Sequence, residues 1–95
     1  MSNQPRRIDS NQPEIVKALR QAGALVNHTH TIGHGFPDVI VGYKGRLHLL
    51  EIKDGSLAPS KRRLTPDEMR WHSEWTGYVS IVNDPIEALK VIGVI

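Results

Sequence analysis

The 95-residue chain contains no cysteine. That excludes disulfides and thiolate zinc sites and leaves the redox compartment open. Long apolar runs are missing too, and none approaches the roughly 18 residues a membrane-spanning helix requires. The opening Met1-Ser2-Asn3-Gln4-Pro5 has no apolar segment behind it, so no signal peptide is expected. Charge of one sign is scarce. With a formal net charge of only +2, any nucleic-acid contact has to come from local clusters, and the two available are Arg6-Arg7 and Lys61-Arg62-Arg63. There is no internal repeat. A chain this short makes one domain, since two would each be too small to hold a core. Its apolar fraction of 39% is modest but well above the disordered regime.

What the chain does carry is a charged trio on adjacent strands. Gly35-Phe36-Pro37-Asp38 leads into an apolar run, a short turn and then Leu50-Glu51-Ile52-Lys53. Side chains alternate along a strand, so Glu51 and Lys53 share one face while Leu50 and Ile52 turn to the core. A hairpin across Lys44-Gly45 lets Asp38 face Glu51. Buried charges are costly unless they are paired or hold a metal. Two converging carboxylates make a hard oxygen site suited to Mg²⁺ or Mn²⁺. Lys53 at its edge can orient a water or offset charge on a phosphoryl oxygen. A phosphodiesterase needs that combination.

Residues Met1 to Ser10 are polar and expected to be loosely ordered, with the folded domain spanning 11–95. A first helix follows, capped by Ser10 or Asn11. Pro13 fits its first turn, Ile15, Val16, Leu19 and Ala22 recur at helical spacing, and Gly23 stops it. Glu14 lies at the edge of that stripe. Ala24 to Thr31 reads as a first strand, Asp38 to Tyr43 as a second covered on both faces, and Leu47 to Lys53 as a third. His28, His30 and His34 have the makings of a zinc site, but the favoured reading is that they line the substrate cleft. Asp54 to Arg63 is a loop ending in the basic triplet. The second helix starts at Thr65, with Pro66 at its first position, Glu68 closing a capping box, and Leu64 and Met69 as a hydrophobic staple. Trp71 and Trp75 are expected to pack rather than to stack on bases. Tyr78 to Val82 is a fourth strand, and Pro85 opens a last helix over Ile86 to Val91. The apolar tail Gly93-Val94-Ile95 is expected to add a strand or to pack against a partner subunit. The fold class is a small α/β domain, α-β-β-β-α-β-α, with a mixed sheet of about four strands.

Asp38 followed by Glu51-Ile52-Lys53 resembles the signature of the restriction-endonuclease-like nucleases. From Glu14 to about Leu89 the chain is similar to their virus-type replication-repair nuclease (VRR-NUC) branch. Four elements in order carry the resemblance. They are Glu14 in the first helix, Gly35 to Asp38, Glu51 to Lys53, and Leu64-Thr65-Pro66 opening the second helix. At Glu68 the family usually has glutamine, so this position departs from the pattern.

The resemblance implies a restriction-endonuclease-like core and a metal-dependent deoxyribonuclease. Asp38, Glu51 and the backbone carbonyl of Ile52 would hold Mg²⁺ or Mn²⁺, and Glu14 would contribute directly or through a water. Lys53 would position the nucleophile, with Glu68 and His34 as accessory residues. Arg6, Arg7, Lys61, Arg62 and Arg63 are the candidate DNA contacts. Small stand-alone members resemble dimers that resolve Holliday junctions, which implies a homodimer acting on branched DNA and leaving 5′-phosphate ends. A cytoplasmic setting in a bacterial cell, with a phage or prophage origin, accords with this. Two alternatives stay open. One is a non-catalytic module that binds branched DNA or a protein on a nuclease-like fold. The other is an interaction protein that uses the Trp71/Trp75 helix as its contact surface.

Overall fold

Two short turns decide how the strands pair. In this computed structural model, which describes residues 8–95, Tyr43 pairs with Arg46, leaving Lys44 and Gly45 as a two-residue hairpin. Both turn residues have positive φ, 48° and 79°. That geometry matches the twist of antiparallel strands, and glycine adopts it without strain. The hairpin joins β2 (Val39–Tyr43) to β3 (Arg46–Ile52). β1 (Leu25–His28) pairs antiparallel with β2 on the other side. β4 (Ser80–Val82) returns parallel to β3. The sheet order is β1-β2-β3-β4, mixed as the sequence suggests. Helices α1 (Gln12–Gln21), α2 (Pro66–Glu74) and α3 (Pro85–Ile92) complete the order α-β-β-β-α-β-α, with short 3₁₀ turns at His30–Ile32 and Pro59–Lys61.

Alternation along the strands sorts the sheet into two faces. Val26, Val39, Val41, Leu50, Ile52 and Val82 are buried together with Ile15, Val16 and Leu19 of α1 and Ala88 and Ile92 of α3. Each such side chain contributes about 1.5–3 kcal/mol of burial, and they form the core. The opposite face carries Ile40, Leu49, Glu51 and Lys53. It is only partly covered, because α2 lies over the end where Glu51 and Lys53 stand. Farther along, Leu25, Gly42 and Leu47 lie side by side in register, and both leucines are exposed. The second strand is therefore covered on one face along its whole length and on the other only in part.

Three local expectations differ from the structure. The first strand ends at His28; Thr29 N–H still bonds to the Asp38 carbonyl, and the chain then turns into 3₁₀ geometry at His30–Ile32. Asn11 occupies the N-cap of α1 but does not cap it. Its amide donates instead to the Lys53 carbonyl at 3.0 Å and the Asn83 carbonyl at 2.9 Å, tying the helix start to the ends of β3 and β4. The C-terminal tail adds no strand; Val94 folds back on the core after Gly93 ends α3. Of the polar opening segment, Arg6 and Arg7 lie outside the described residues. Asp9 and Ser10 are bonded into the fold, through Gln12 N–H to the Asp9 carbonyl and Ser10 Oγ to Asp54 Oδ2. No helix among the described residues is long and apolar enough to cross a membrane.

Candidate active site

Pro37 and Asp38 are held at the mouth of the sheet by bonds on three sides. Thr29 Oγ1 donates to the Pro37 carbonyl at 2.7 Å, Asp38 N–H donates to the Leu50 carbonyl, and Ile52 N–H donates to Asp38 Oδ2 at 2.7 Å. The last bond uses the aspartate as the acceptor where the β2–β3 ladder runs out. It orients the carboxylate with a donor that substrate cannot displace. Glu51 and Lys53, one residue apart, emerge from β3 on the same face as the sequence requires.

The helix above them is anchored by a charge. Glu68 is the one buried residue of α2. Its Oε1 accepts from Lys53 Nζ at 2.7 Å and from Thr65 N–H at 2.9 Å, while Thr65 Oγ1 accepts from Glu68 N–H. One carboxylate thus closes the capping box and pins the helix to β3. Lys53 Nζ also stands 3.6 Å from Glu51 Oε2. Met69, expected to staple the helix, is 59% exposed, so the ion pair does more to seat α2 than that apolar contact. Trp71 stacks on Trp75 at 4.8 Å and meets Phe36 edge-on at 5.3 Å, the packing role expected for the tryptophans.

The loop ahead of Asp38 reaches the site through backbone alone. Gly33, His34 and Gly35 all have positive φ. A Cβ at Gly35 would lie 2.6 Å from the Asp67 carbonyl carbon, so only glycine allows the loop to lie on the first turn of α2. His34 is thereby held at the rim of a cavity of about 950 Å³. Buried Asp38, Glu51, Lys53 and Glu68 line it, as do exposed Lys61 and Arg63. Arg62 is spent otherwise: its Nε donates to the Leu57 carbonyl at 3.0 Å and braces the loop.

Ionisable groups are concentrated in this cavity. Asp38, Glu51 and Glu68 are 4%, 1% and 5% exposed, and Lys53 is the buried cation among them. Burial, and then the neighbouring Asp38 and Glu68, push the Glu51 carboxyl up to about 10. Glu51 therefore holds a proton at neutral pH. Burial would raise Glu68 as well, but the Lys53 hydrogen bond, Thr65 N–H and Glu51 bring it down to about 2. For Lys53, burial alone would lower the ammonium pKa; the hydrogen bond and charge of Glu68, with Glu51 and Asp9, outweigh it and raise the pKa.

No family model, no curated protein and no solved structure matches the chain. The site is therefore judged on its own geometry. Among the described residues, no three His, Asp or Glu side chains form a group that could hold a metal ion by themselves. The donor set nonetheless suits a hard cation, because two carboxyl groups, Asp38 and Glu51, meet at the mouth of the β2–β3 ladder. Mg²⁺ in particular uses one or two carboxylates and keeps several waters.

The structure brings Asp38, Glu51, Lys53, Glu68, His34, Lys61 and Arg63 around one cavity. It does not bring Glu14 there. The buried stripe of α1 runs through Gln12, Ile15, Val16 and Leu19, which leaves Glu14 exposed on a separate cavity beside Asp54 and Asp84. Asp9, just before the helix, lines the cavity where Glu14 does not, as do Asp54 and Asp67. Burial raises the Asp9 carboxyl, Lys53 opposes that, and Asp38, Asp54 and Glu68 add to it, so it senses the same charges. An aspartate in a polar opening segment gave no periodic signal by which to find it. His28 and His30 also lie elsewhere, in a second cavity against α1.

Proposed function

We propose that the protein is a metal-dependent deoxyribonuclease acting on branched DNA. The observation that carries this reading is that buried Asp38, Glu51, Glu68 and Lys53 line one cavity together with Lys61 and Arg63. Asp38 and Glu51, with the Ile52 carbonyl, would hold Mg²⁺ or Mn²⁺. Such an ion supplies a water of lowered pKa and offsets charge on the scissile phosphate. The chain's own groups do the rest. Ile52 N–H fixes the Asp38 carboxylate, and Glu51 gives up its proton when the site takes a cation. Lys53 presents positive charge to the non-bridging oxygens, and Glu68 limits where its ammonium can swing. Lys61 and Arg63 hold flanking phosphates, and His34 hydrogen-bonds at the rim.

Branched DNA and a homodimer belong to the same proposal. One small cavity grips few phosphates, and a two-fold pair would present two sites to a symmetric junction. The exposed Leu25 and Leu47 flanking Gly42 offer an apolar row for a second copy to cover. A strictly monomeric protein in concentrated solution by sedimentation would contradict the dimer. A binding-only role on the same fold is favoured by one feature, the 2.7 Å engagement of Lys53 by Glu68. Calorimetric titration with Mn²⁺ separates the two readings. The nuclease reading expects binding with proton release at pH 7, lost in Asp38→Asn; no binding in the parent protein would favour the non-catalytic module.

A further inference from the structure

We infer that the groove between α1 and the end of β1 is a second phosphate subsite, which holds the nucleic-acid backbone beside the catalytic cavity. The inference rests on the nuclease reading and extends it to residues that reading does not use. The groove encloses about 710 Å³. Its described lining contains Lys17, Arg20, His28 and His30 and not one carboxylate, although acids make up nearly half of the chain's formally charged side chains. The catalytic cavity, by contrast, is lined by Asp9, Asp38, Glu51, Asp54, Asp67 and Glu68. Ile8 lines both, so the two spaces meet across one side chain. A polyanion leaving the catalytic cavity over Ile8 meets Lys17, Arg20 and two histidines set among Pro13 and Val16, with no carboxylate among the described lining residues.

The geometry explains why these residues face outward together. Pro13, Lys17 and Gln21 recur every four residues along α1, on the side away from Ile15 and Leu19. Arg20 is braced by one N–H on the Val26 carbonyl at 3.0 Å, which fixes the guanidinium against β1. The Gln12 amide contacts His28 Nδ1 at 3.2 Å, and as donor it leaves Nε2 to carry the ring's proton. His28 and His30 meet edge to face at 5.9 Å. Lysine, arginine, imidazole N–H and glutamine amide are the groups that contact phosphate oxygens without reading sequence. Together with Lys61 and Arg63 they would position backbone on two sides of the scissile bond.

The test uses full-length Asp38→Asn protein in EDTA, so that binding is read without cutting. Fluorescence anisotropy with a labelled four-way junction and a matched duplex is followed over a salt series. Lys17→Ala is expected to lower the slope of log affinity against log salt by about 1. Lys17→Glu is expected to weaken binding by about tenfold or more, since like charges at an interface repel. Lys90→Ala on α3, which lines none of these cavities, serves as the control. In the cutting-competent protein Lys17→Glu should raise KM and leave kcat unchanged. Junction binding by the parent with both Lys17 variants matching the control would overturn the subsite and leave the nuclease reading standing. No DNA binding by the parent at low salt would overturn both.

Discussion

Lys53→Ala protein is expected to bind DNA and fail to cut it. The ammonium is 8% exposed and sits between Glu68 and Glu51, inside the cavity rather than on the outer surface that first meets a duplex. Loss of a positive group aimed at developing phosphoryl charge costs about 10²–10³ in kcat. The proposed phosphate contacts of Lys61 and Arg63 would remain, so affinity should change little. The substitution also leaves Glu68 and Glu51 without their counter-charge, and removing one partner of a buried pair costs about 3–5 kcal/mol. A Lys53→Ala/Glu68→Gln double variant separates the two effects. The amide oxygen still accepts from Thr65 N–H and keeps the cap, while the stranded charge is gone. Recovered stability with no recovered cleavage is the expected outcome. Cleavage at the parent rate by either variant would show that Lys53 has no part in the chemistry.

The second large effect is a stability that falls as pH rises when no divalent cation is present. Glu51 stands at about 10 in the folded protein against 4.5 as its ordinary value. The folded state therefore holds a proton that the unfolded chain releases. Stability from this group is complete below about pH 4.5 and is lost progressively as pH rises toward 10. Glu68 runs the other way. Brought down to about 2, it contributes above its ordinary value of 4.5 and is lost as pH falls toward 2. Lys53, raised, holds its contribution throughout this range and loses it only above 10.5. His48 and His72, both lowered by burial, add stability as pH rises toward 6.5, but their shifts are smaller than that of Glu51. The metal-free optimum lies near pH 5 to 6.5, with Tm at pH 8 lower by about 5 °C or more. On the proposed reading Mn²⁺ would take the place of the Glu51 proton, so its stabilisation should grow from pH 5 to pH 8. Glu51→Gln keeps the shape without the proton and should flatten the profile and abolish the Mn²⁺ effect. A metal-free Tm that climbs between pH 6.5 and 8 would contradict this assignment.

Much of the fold could be read from local pattern, since strand alternation around Glu51-Ile52-Lys53 and the turn chemistry of Lys44-Gly45 both act over a few residues. The capping box of Thr65 and Glu68 was legible for the same reason. What escaped is tertiary. A helical wheel of α2 points to Met69, His72 and Trp75 as the seated side, yet the buried residue is Glu68, because Lys53 reaches up from β3 to meet it. Nothing local says which of two acids near a helix start faces the sheet; the rotation of α1, set by Ile15 and Leu19, turns Glu14 away and leaves Asp9 at the cavity. The triplet Lys61-Arg62-Arg63 looks uniform in sequence and is divided in space, with Arg62 bonded to the Leu57 carbonyl and its neighbours facing the cavity. His28 and His30 were expected in the same cleft as Asp38. Alternation along β1 puts His28 on the α1 side with Val26, and the early end of the strand carries His30 to the same groove.

Cleavage of a labelled four-way junction, beside matched duplex, single strand and flap, tests the central claim most directly. Each substrate would be incubated with Mg²⁺, with Mn²⁺ and with EDTA, and Asp38→Asn protein run alongside. The asparagine still accepts from Ile52 N–H, so the variant keeps the local fold and loses only the charge. The account predicts paired nicks in the junction with either ion, none with EDTA, and a loss of about 10³ or more in the variant, as several kcal/mol of transition-state stabilisation disappear. Junction bound tightly but left uncut under every metal condition, or cut equally well by Asp38→Asn, would contradict it.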